Sequence, residues 1–245
     1  MTSTPPGKKK LALPVFSVIV GAGSGERFGG KVPKAFAQFS TGEQLIHATL
    51  RRMALSPVIM QQVVVVPAGY EKTVRSWPDV ADLRIADVVA GGKHRSASVM
   101  NGLVAVERLV PPGNVVVLIH DAARPCITPA LIKRVADGAG EKDNATPTVP
   151  LADTVKKAKD SLLLDTLDRN SLAAIQTPQG FLLSEHLRLL KLHPGPHLDD
   201  TIPWSMEGKT VFRVEGERWN VKITFPEDLR VAEAVMRIMD TKEKL

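Results

Sequence analysis

Alternating apolar strands and amphipathic helices from residue 15 to about 149 predict an α/β protein with a mostly parallel sheet flanked by helices. Two further observations shape that reading. A glycine-rich, basic loop follows the first apolar run directly. After Ala152 the long helices stop and short segments of mixed polarity take over, which reads as a β-arm projecting from the sheet.

Val15–Val20 is an unbroken apolar run apart from Ser17, as expected of a strand covered on both faces. Residues 44–56 place apolar side chains at 45, 46, 50, 53 and 54, a helical stripe. Residues 62–66 form a β-branched second strand that stops at Pro67, and a short helix follows over 71–77. A third strand is expected over 83–89, then a turn at Gly91-Gly92 into a helix over 95–109. Residues 115–119 are five consecutive apolar residues, a fourth, buried strand. Thr128-Pro129 combines a capping hydroxyl with proline at the first turn and starts a helix reaching about Gly138. The fifth strand is expected at 145–149.

The arm, about 152–177, comprises extended segments 153–159, 161–166 and 171–176. So little core of its own implies a partner, hence a homodimer through the arm. Beyond Pro178 come a helix over 184–192, a segment around 199–208, strands at 210–214 and 220–224, and a last helix opened by Pro226-Glu227-Asp228. One domain is expected over 15–240, with a disordered tail over 1–14.

Composition narrows the partners. The net charge of +6 includes Lys8-Lys9-Lys10 in the tail, and the remainder suits an anionic small substrate without arguing for nucleic acid. The single cysteine, Cys126, excludes an intrachain disulfide and fits a reducing, cytoplasmic setting. Lys8–Lys10 and the following apolar run resemble a secretion signal, but cleavage near Gly23 would remove the first strand and its loop. No apolar run approaches the ~20 residues of a membrane span.

The loop runs Gly21-Ala22-Gly23-Ser24-Gly25-Glu26-Arg27-Phe28-Gly29-Gly30-Lys31-Val32-Pro33-Lys34. Glycines let backbone N–H groups converge on phosphate oxygens, and Arg27, Lys31 and Lys34 add positive charge. The dinucleotide pattern G-x-G-x-x-G fails at Glu26 in one register and at Phe28 in the other. The P-loop pattern fails at Val32, where a hydroxyl is required. A triphosphate site of another kind remains.

The loop, Gly91-Gly92 and His120-Asp121 all fall at the carboxyl ends of strands, where ligands bind in open α/β sheets. Asp121 reads either as a carboxylate near Mg2+ or as a turn aspartate. His120 reads as a structural hydrogen-bonding residue or a base. Ser96 and Ser98 suit a base or ribose pocket or a helix cap. Arg169 could grip a phosphate or form a surface ion pair, and Lys222 could serve the site or be a solvated lysine. No nucleophile elbow and no Cys/His metal spacing occurs. The chemistry points to cations around phosphates, plus a metal.

Taken together, the loop with Arg27, Pro33-Lys34, Gly91-Gly92 with Arg95 and Ser98, His120-Asp121-Ala122-Ala123-Arg124-Pro125, Asp153-Thr154, Asp168-Arg169-Asn170, Gln176-Thr177-Pro178-Gln179 and Asn220-Val221-Lys222-Ile223-Thr224 resemble the 2-C-methyl-D-erythritol 4-phosphate cytidylyltransferase family of the non-mevalonate isoprenoid pathway. The resemblance implies a Rossmann-like nucleotidyltransferase fold, an arm that interlocks a homodimer, and Mg2+-dependent transfer from CTP to methylerythritol phosphate. It implies catalytic roles for Arg27, Lys34, Arg169 and Lys222. Gly21, Ala22, Gly23, Gly25, Gly92, Arg95, Ser98 and Ala122 would bind CTP. Asp121, Thr154, Arg169, Thr177 and Lys222 would bind the acceptor, with Asp121 near the metal and the arm residues Thr154 and Arg169 coming from the other subunit.

Three positions depart from the family pattern. Leu198 stands where a threonine is usual, Lys93 where an acid is often found, and Val20-Gly21 replaces Pro-Ala. A ribitol- or other polyol-phosphate cytidylyltransferase shares most of these motifs. A non-catalytic nucleotide or polyanion binder is the reading from another class.

Overall fold

The computed structural model describes residues 13–242 except Ser24, Glu26, Gly30, Lys31, Pro112 and Gly113. The expected tail over 1–14 lies mostly outside the described residues, as do Lys31 and the lysine triplet.

Among the described residues, eight strands form one sheet. Its main path runs from the strand Arg213–Glu215 (β10) through Asn144–Val149 (β5), Gln179–Leu182 (β9), Val116–Asp121 (β4), Val15–Val20 (β1) and Ile59–Val66 (β2) to Ile85–Ala90 (β3). The pairs β1–β2, β1–β4, β2–β3 and β5–β10 are parallel, as the strand–helix alternation predicts. The apolar runs lie at the centre: every residue of β4 is buried.

Helices cover both faces. Leu45–Ala54 (α1) and Pro129–Lys142 (α4) pack Ile46, Leu50, Leu131, Ile132 and Val135 against one face. Arg95–Leu109 (α3) and Leu183–Leu192 (α5) pack Val99, Leu103, Leu187 and Leu190 against the other. Glu71–Arg75 (α2) and Ile202–Met206 (α6) are short. Asp228–Lys242 (α7) closes a smaller cluster in which Ala232, Val235 and Met236 cover Cys126. The Cys126 thiol is fully buried and points at the Ala232 carbonyl, 3.6 Å away. Thr128 caps α4 as expected, accepting from the Leu131 N–H at 3.1 Å with Pro129 next in the chain.

The arm is a hairpin of Val155–Lys159 (β6) and Leu162–Leu167 (β7), a two-stranded sheet separate from the main one. A 3-10 turn, Arg169–Ser171, and a two-residue strand, Ala174–Ile175 (β8), return the chain to β5.

Three expectations change. First, β9 has no counterpart among the expected strands: it lies antiparallel between β4 and β5, so the fourth and fifth strands are not neighbours. Its Gln-Gly start hides it, yet Gly180 is required there, because an added Cβ would come within 2.9 Å of Val135 and 3.1 Å of Leu118. Second, residues 220–224 are irregular, not a strand. Their backbone bonds go to loop residues, such as Ile223 N–H to the Ala123 carbonyl at 2.8 Å, and not to a ladder. Third, the strand expected at 210–214 is β10, later and shorter.

Candidate active site

A cavity of about 410 Å³ opens where β1, β3 and β4 end. Its walls are largely backbone and small side chains. At Gly21, just past β1, a Cβ would sit 2.9 Å from Ile46, 3.2 Å from Ala35 and 3.3 Å from Ala122. At Gly91 it would lie 2.1 Å from the Ala22 Cβ, and at Gly92 2.5 Å from that of Ala97. Gly25 has φ +66°, the left-handed region that favours glycine. Ser98 accepts from the Gly92 N–H at 3.0 Å and fixes the turn after β3. The cap of α3 is the His94 side chain, which accepts from the Ala97 N–H at 3.2 Å; neither Ser96 nor Ser98 fills that position.

Charge concentrates on one side. Lys222 donates to Asp121 Oδ2 at 2.7 Å, and Arg95 reaches Asp121 Oδ1 at 3.3 Å. Burial opposes the Asp121 charge, but Arg95, Lys222 and Arg124 outweigh it and hold the carboxyl well below the usual carboxylate range. Lys34 opens a 3-10 turn, Lys34–Phe36, right after Pro33 and donates to the Ile223 carbonyl at 3.0 Å. Burial, then the neighbouring Lys222, push its ammonium below the usual range. Two lysines thus face one carboxylate, an arrangement poised for added negative charge.

Of the residues to which the family resemblance gives a role, Gly21, Ala22, Gly23, Gly25, Lys34, Gly92, Arg95, Ser98, Asp121, Ala122 and Lys222 line this one cavity. Four do not. Arg27 is exposed on the loop, though its charge reaches Lys34. Thr154 and Arg169 are exposed on the arm, and Arg169 donates to the Ala152 carbonyl at 2.7 Å. Thr177 is buried behind the cavity. Its hydroxyl accepts from the Asp121 N–H at 3.1 Å and lies 3.1 Å from His120 Nδ1.

His120 itself lies 3.0 Å through Nε2 from the Arg124 carbonyl, and burial pushes its imidazole down to about 4. A neutral ring donates there, which leaves Nδ1 to accept from Thr177. His120 is therefore structural, the first of its two readings. Among the described residues, Asp121 is the only carboxylate lining the cavity, and no group of three His, Cys, Asp or Glu side chains could hold a metal.

A second cavity, about 490 Å³, adjoins the first and shares Lys222 with it; Arg124 and Arg218 also line it. Arg124 is nearly buried and donates to the Asn220 carbonyl at 2.8 Å. Sequence reasoning assigned neither arginine a role. Arg124 could have been found, since it lies within the His120–Pro125 motif; Arg218 carries no local signal.

A mostly parallel sheet with a glycine-walled, cation-rimmed cavity at its carboxyl edge defines a nucleotidyltransferase of the α/β class. The match to known proteins is narrower. The family model for 2-C-methyl-D-erythritol 4-phosphate cytidylyltransferase covers residues 15–238, and the chain belongs to that family. It is 36% identical over 236 residues to the enzyme so named from Carboxydothermus hydrogenoformans, covering 93% of this chain and 97% of that one. It is likewise 36% identical over 246 residues to the one from Corynebacterium efficiens, covering 94% and 95%. The crystal structure of the enzyme so named from Thermus thermophilus superposes with a TM-score of 0.71 at 30% identity, covering 90% of this chain and 98% of that one.

Proposed function

We propose that this chain transfers the cytidylyl group of CTP to 2-C-methyl-D-erythritol 4-phosphate, releasing pyrophosphate, in isoprenoid precursor synthesis. One observation carries the reading beyond family membership: Lys222 lines both cavities. A single ammonium therefore stands between a nucleotide pocket and a second pocket rich in cations. CTP would occupy the first, with its triphosphate on the loop 21–34. The acceptor phosphate would occupy the second, against Arg124, Arg218 and Lys222, with its hydroxyl groups turned toward Asp121 in the first.

An acceptor phosphate oxygen forms the new bond to the α-phosphorus as the bond to the bridging oxygen of pyrophosphate breaks. Charge builds on the α-phosphoryl oxygens and on the leaving group. Lys34 is half-buried beside the first pocket, and Arg27 on the loop adds to the same field. Their task is electrostatic, and no side chain needs to form a covalent bond.

Mg2+ fits this donor set. Asp121 is ionised, its Oδ2 accepts from Lys222 alone among the described residues and keeps a lone pair, and the remaining ligands of such an ion are ordinarily phosphate oxygens and water. When bound, the ion would neutralise triphosphate charge. Asp121 is the residue that would hold it.

The acceptor site would be completed in trans. Thr154 and Arg169 do not reach the cavity of their own chain, and the arm that carries them exposes Leu162, Leu163 and Leu164. A second copy would cover those leucines and receive Arg169 at its acceptor pocket. Pyrophosphate release, measured with CTP, Mg2+ and each of several polyol phosphates, tests the reading. Turnover confined to methylerythritol phosphate is expected. Preference for ribitol phosphate would reassign the acceptor, and binding of CTP without release of pyrophosphate would leave only a nucleotide binder.

A further inference from the structure

Arg95 is the first residue of α3, where the positive end of the helix makes a cation unfavourable. It is held there by two carboxylates on unequal terms. Asp200 takes both ends of the guanidinium fork, Nη1 to Oδ1 and Nη2 to Oδ2, each at 2.9 Å. Asp121 receives only two longer contacts, both 3.3 Å and both to the same oxygen. Asp200 is buried and does not line the cavity.

Its location does not depend on Arg95. The Asp200 N–H donates to the buried Gln179 side chain at 3.0 Å, on β9. The loop that leads to it is tied to α3 through Ser96, which donates to the Gly195 carbonyl at 2.6 Å and accepts from the His197 N–H at 3.2 Å. Asp200 is thus placed by its own backbone and loop; burial disfavours its charge, and the Arg95 guanidinium opposes that.

We infer that Asp200 is a positioning residue for the transfer reaction: it restrains Arg95 to two 3.3 Å contacts on Asp121 Oδ1 and so leaves Asp121 Oδ2, beside Lys222, available to the acceptor. The inference rests on the proposed function. Without the Asp200 charge, Asp121 is the one ionised partner left to Arg95 among the described residues. The guanidinium then closes on it in bidentate fashion and takes the oxygens that the acceptor would use. Asp200→Asn should therefore behave like loss of Asp121, although residue 200 touches no substrate.

The experiment compares wild type, Asp200→Asn, Arg95→Gln and the double variant. It measures kcat, the KM for each substrate, acceptor affinity by calorimetry beside a CTP analogue that cannot release pyrophosphate, and thermal midpoint. Asp200→Asn should lower kcat/KM for the acceptor about 10–100-fold and weaken its calorimetric binding in step. In the Arg95→Gln background the same change should cost less than about twofold, because no cation remains to swing. Asp200→Glu should recover part of the loss.

An equal loss in both backgrounds makes Asp200 a scaffold for its loop and overturns the inference, as do acceptor parameters within twofold of wild type. If Asp200→Asn does not fold, Asp200→Ser, which also removes the charge, carries the test. A folded variant with acceptor KM raised about threefold or more supports positioning, and an unchanged KM overturns it. Wild-type turnover is measured first. Its absence would remove the proposed function itself, whereas turnover with an insensitive Asp200→Asn removes only the part given to Asp200.

Discussion

Asp121 divides its carboxylate between Lys222 and Arg95, both within the same chain, whereas Leu162 and Leu163 on the arm are 64% and 73% exposed. The cavity is organised before any ligand arrives: Gly21 and Gly92 leave no room for a side chain in its wall, and Lys34, Arg95, Asp121 and Lys222 are already paired. Among the described residues, the arm is a two-stranded hairpin, separate from the main sheet. The difference separates two tasks. Preorganised dipoles and cations can stabilise charge that develops in a reaction without first having to reorganise. An isolated two-stranded hairpin is marginal in water until something packs on it, so its order would depend on a second copy.

The largest effect should come from the organised side. Lys34→Ala should lower kcat by about 10²–10³-fold, because a cation ~4 Å from a growing charge at an effective dielectric of ~20 is worth roughly 4 kcal/mol before desolvation. Steady-state kinetics with both substrates saturating would check it; an unchanged kcat would move the charge stabilisation elsewhere.

The arm can be tested by mixing. Arg169→Ala and Lys222→Ala should each be inactive alone. After subunit exchange, about a quarter of wild-type activity should return: random pairing makes half the dimers mixed, and each mixed dimer has one intact site of two. No recovery after confirmed exchange would place Arg169 in the site of its own subunit.

A smaller change should come from just behind the cavity wall, where Gly91 packs on Ala22. Gly91→Ala places a methyl group 2.1 Å from the Ala22 Cβ, a contact that no side-chain rotation relieves. It should cost about 1–3 kcal/mol of stability in urea titration and raise the KM for CTP. An equivalent substitution at Gly140, where φ is not positive and a Cβ first meets Val116 at 4.0 Å, should leave the KM for CTP unchanged.

The smallest effect lies far from both regions. His47 bridges Glu43 at 3.0 Å and Asp79 at 2.8 Å, and the Glu43 hydrogen bond leads the influences that raise its pKa despite partial burial. A raised folded value means that its stabilisation is complete below the unfolded value of about 6.5 and fades as pH rises through the folded one. The pair is partly solvated, so the loss should be a few tenths of a kcal/mol. Urea midpoints between pH 6 and 9 should flatten in His47→Gln by that amount.

The regions also differ in how well the sequence exposes them. Val15–Val20 and β4 are legible because burial on both faces demands unbroken apolar residues. The loop is legible because its glycines and lysines are adjacent in the chain. By contrast, β9 is hidden: four residues beginning Gln-Gly show neither alternation nor a β-branched run. The irregular path of 220–224 looks like a strand because apolar and polar residues alternate there by coincidence, while its bonds go to distant loops. Asp200 is beyond reach for a similar reason. It meets Arg95 across 105 positions, and nothing local in Leu198-Asp199-Asp200 says which acid turns inward. The structure separates them: Asp200 is buried on Arg95, while Asp199 accepts from the Thr201 N–H at 2.7 Å.

Cys126 gives the folded chain a built-in stopwatch. Burial pushes its thiol up to about 12, and α7 covers it, so an alkylating reagent at neutral pH should meet an unreactive sulfur for as long as the helix stays seated. Because the sequence has one cysteine, each labelled molecule records one opening event. The rate of label uptake, followed with and without CTP, then measures how often α7 lifts from Cys126 and whether CTP slows it.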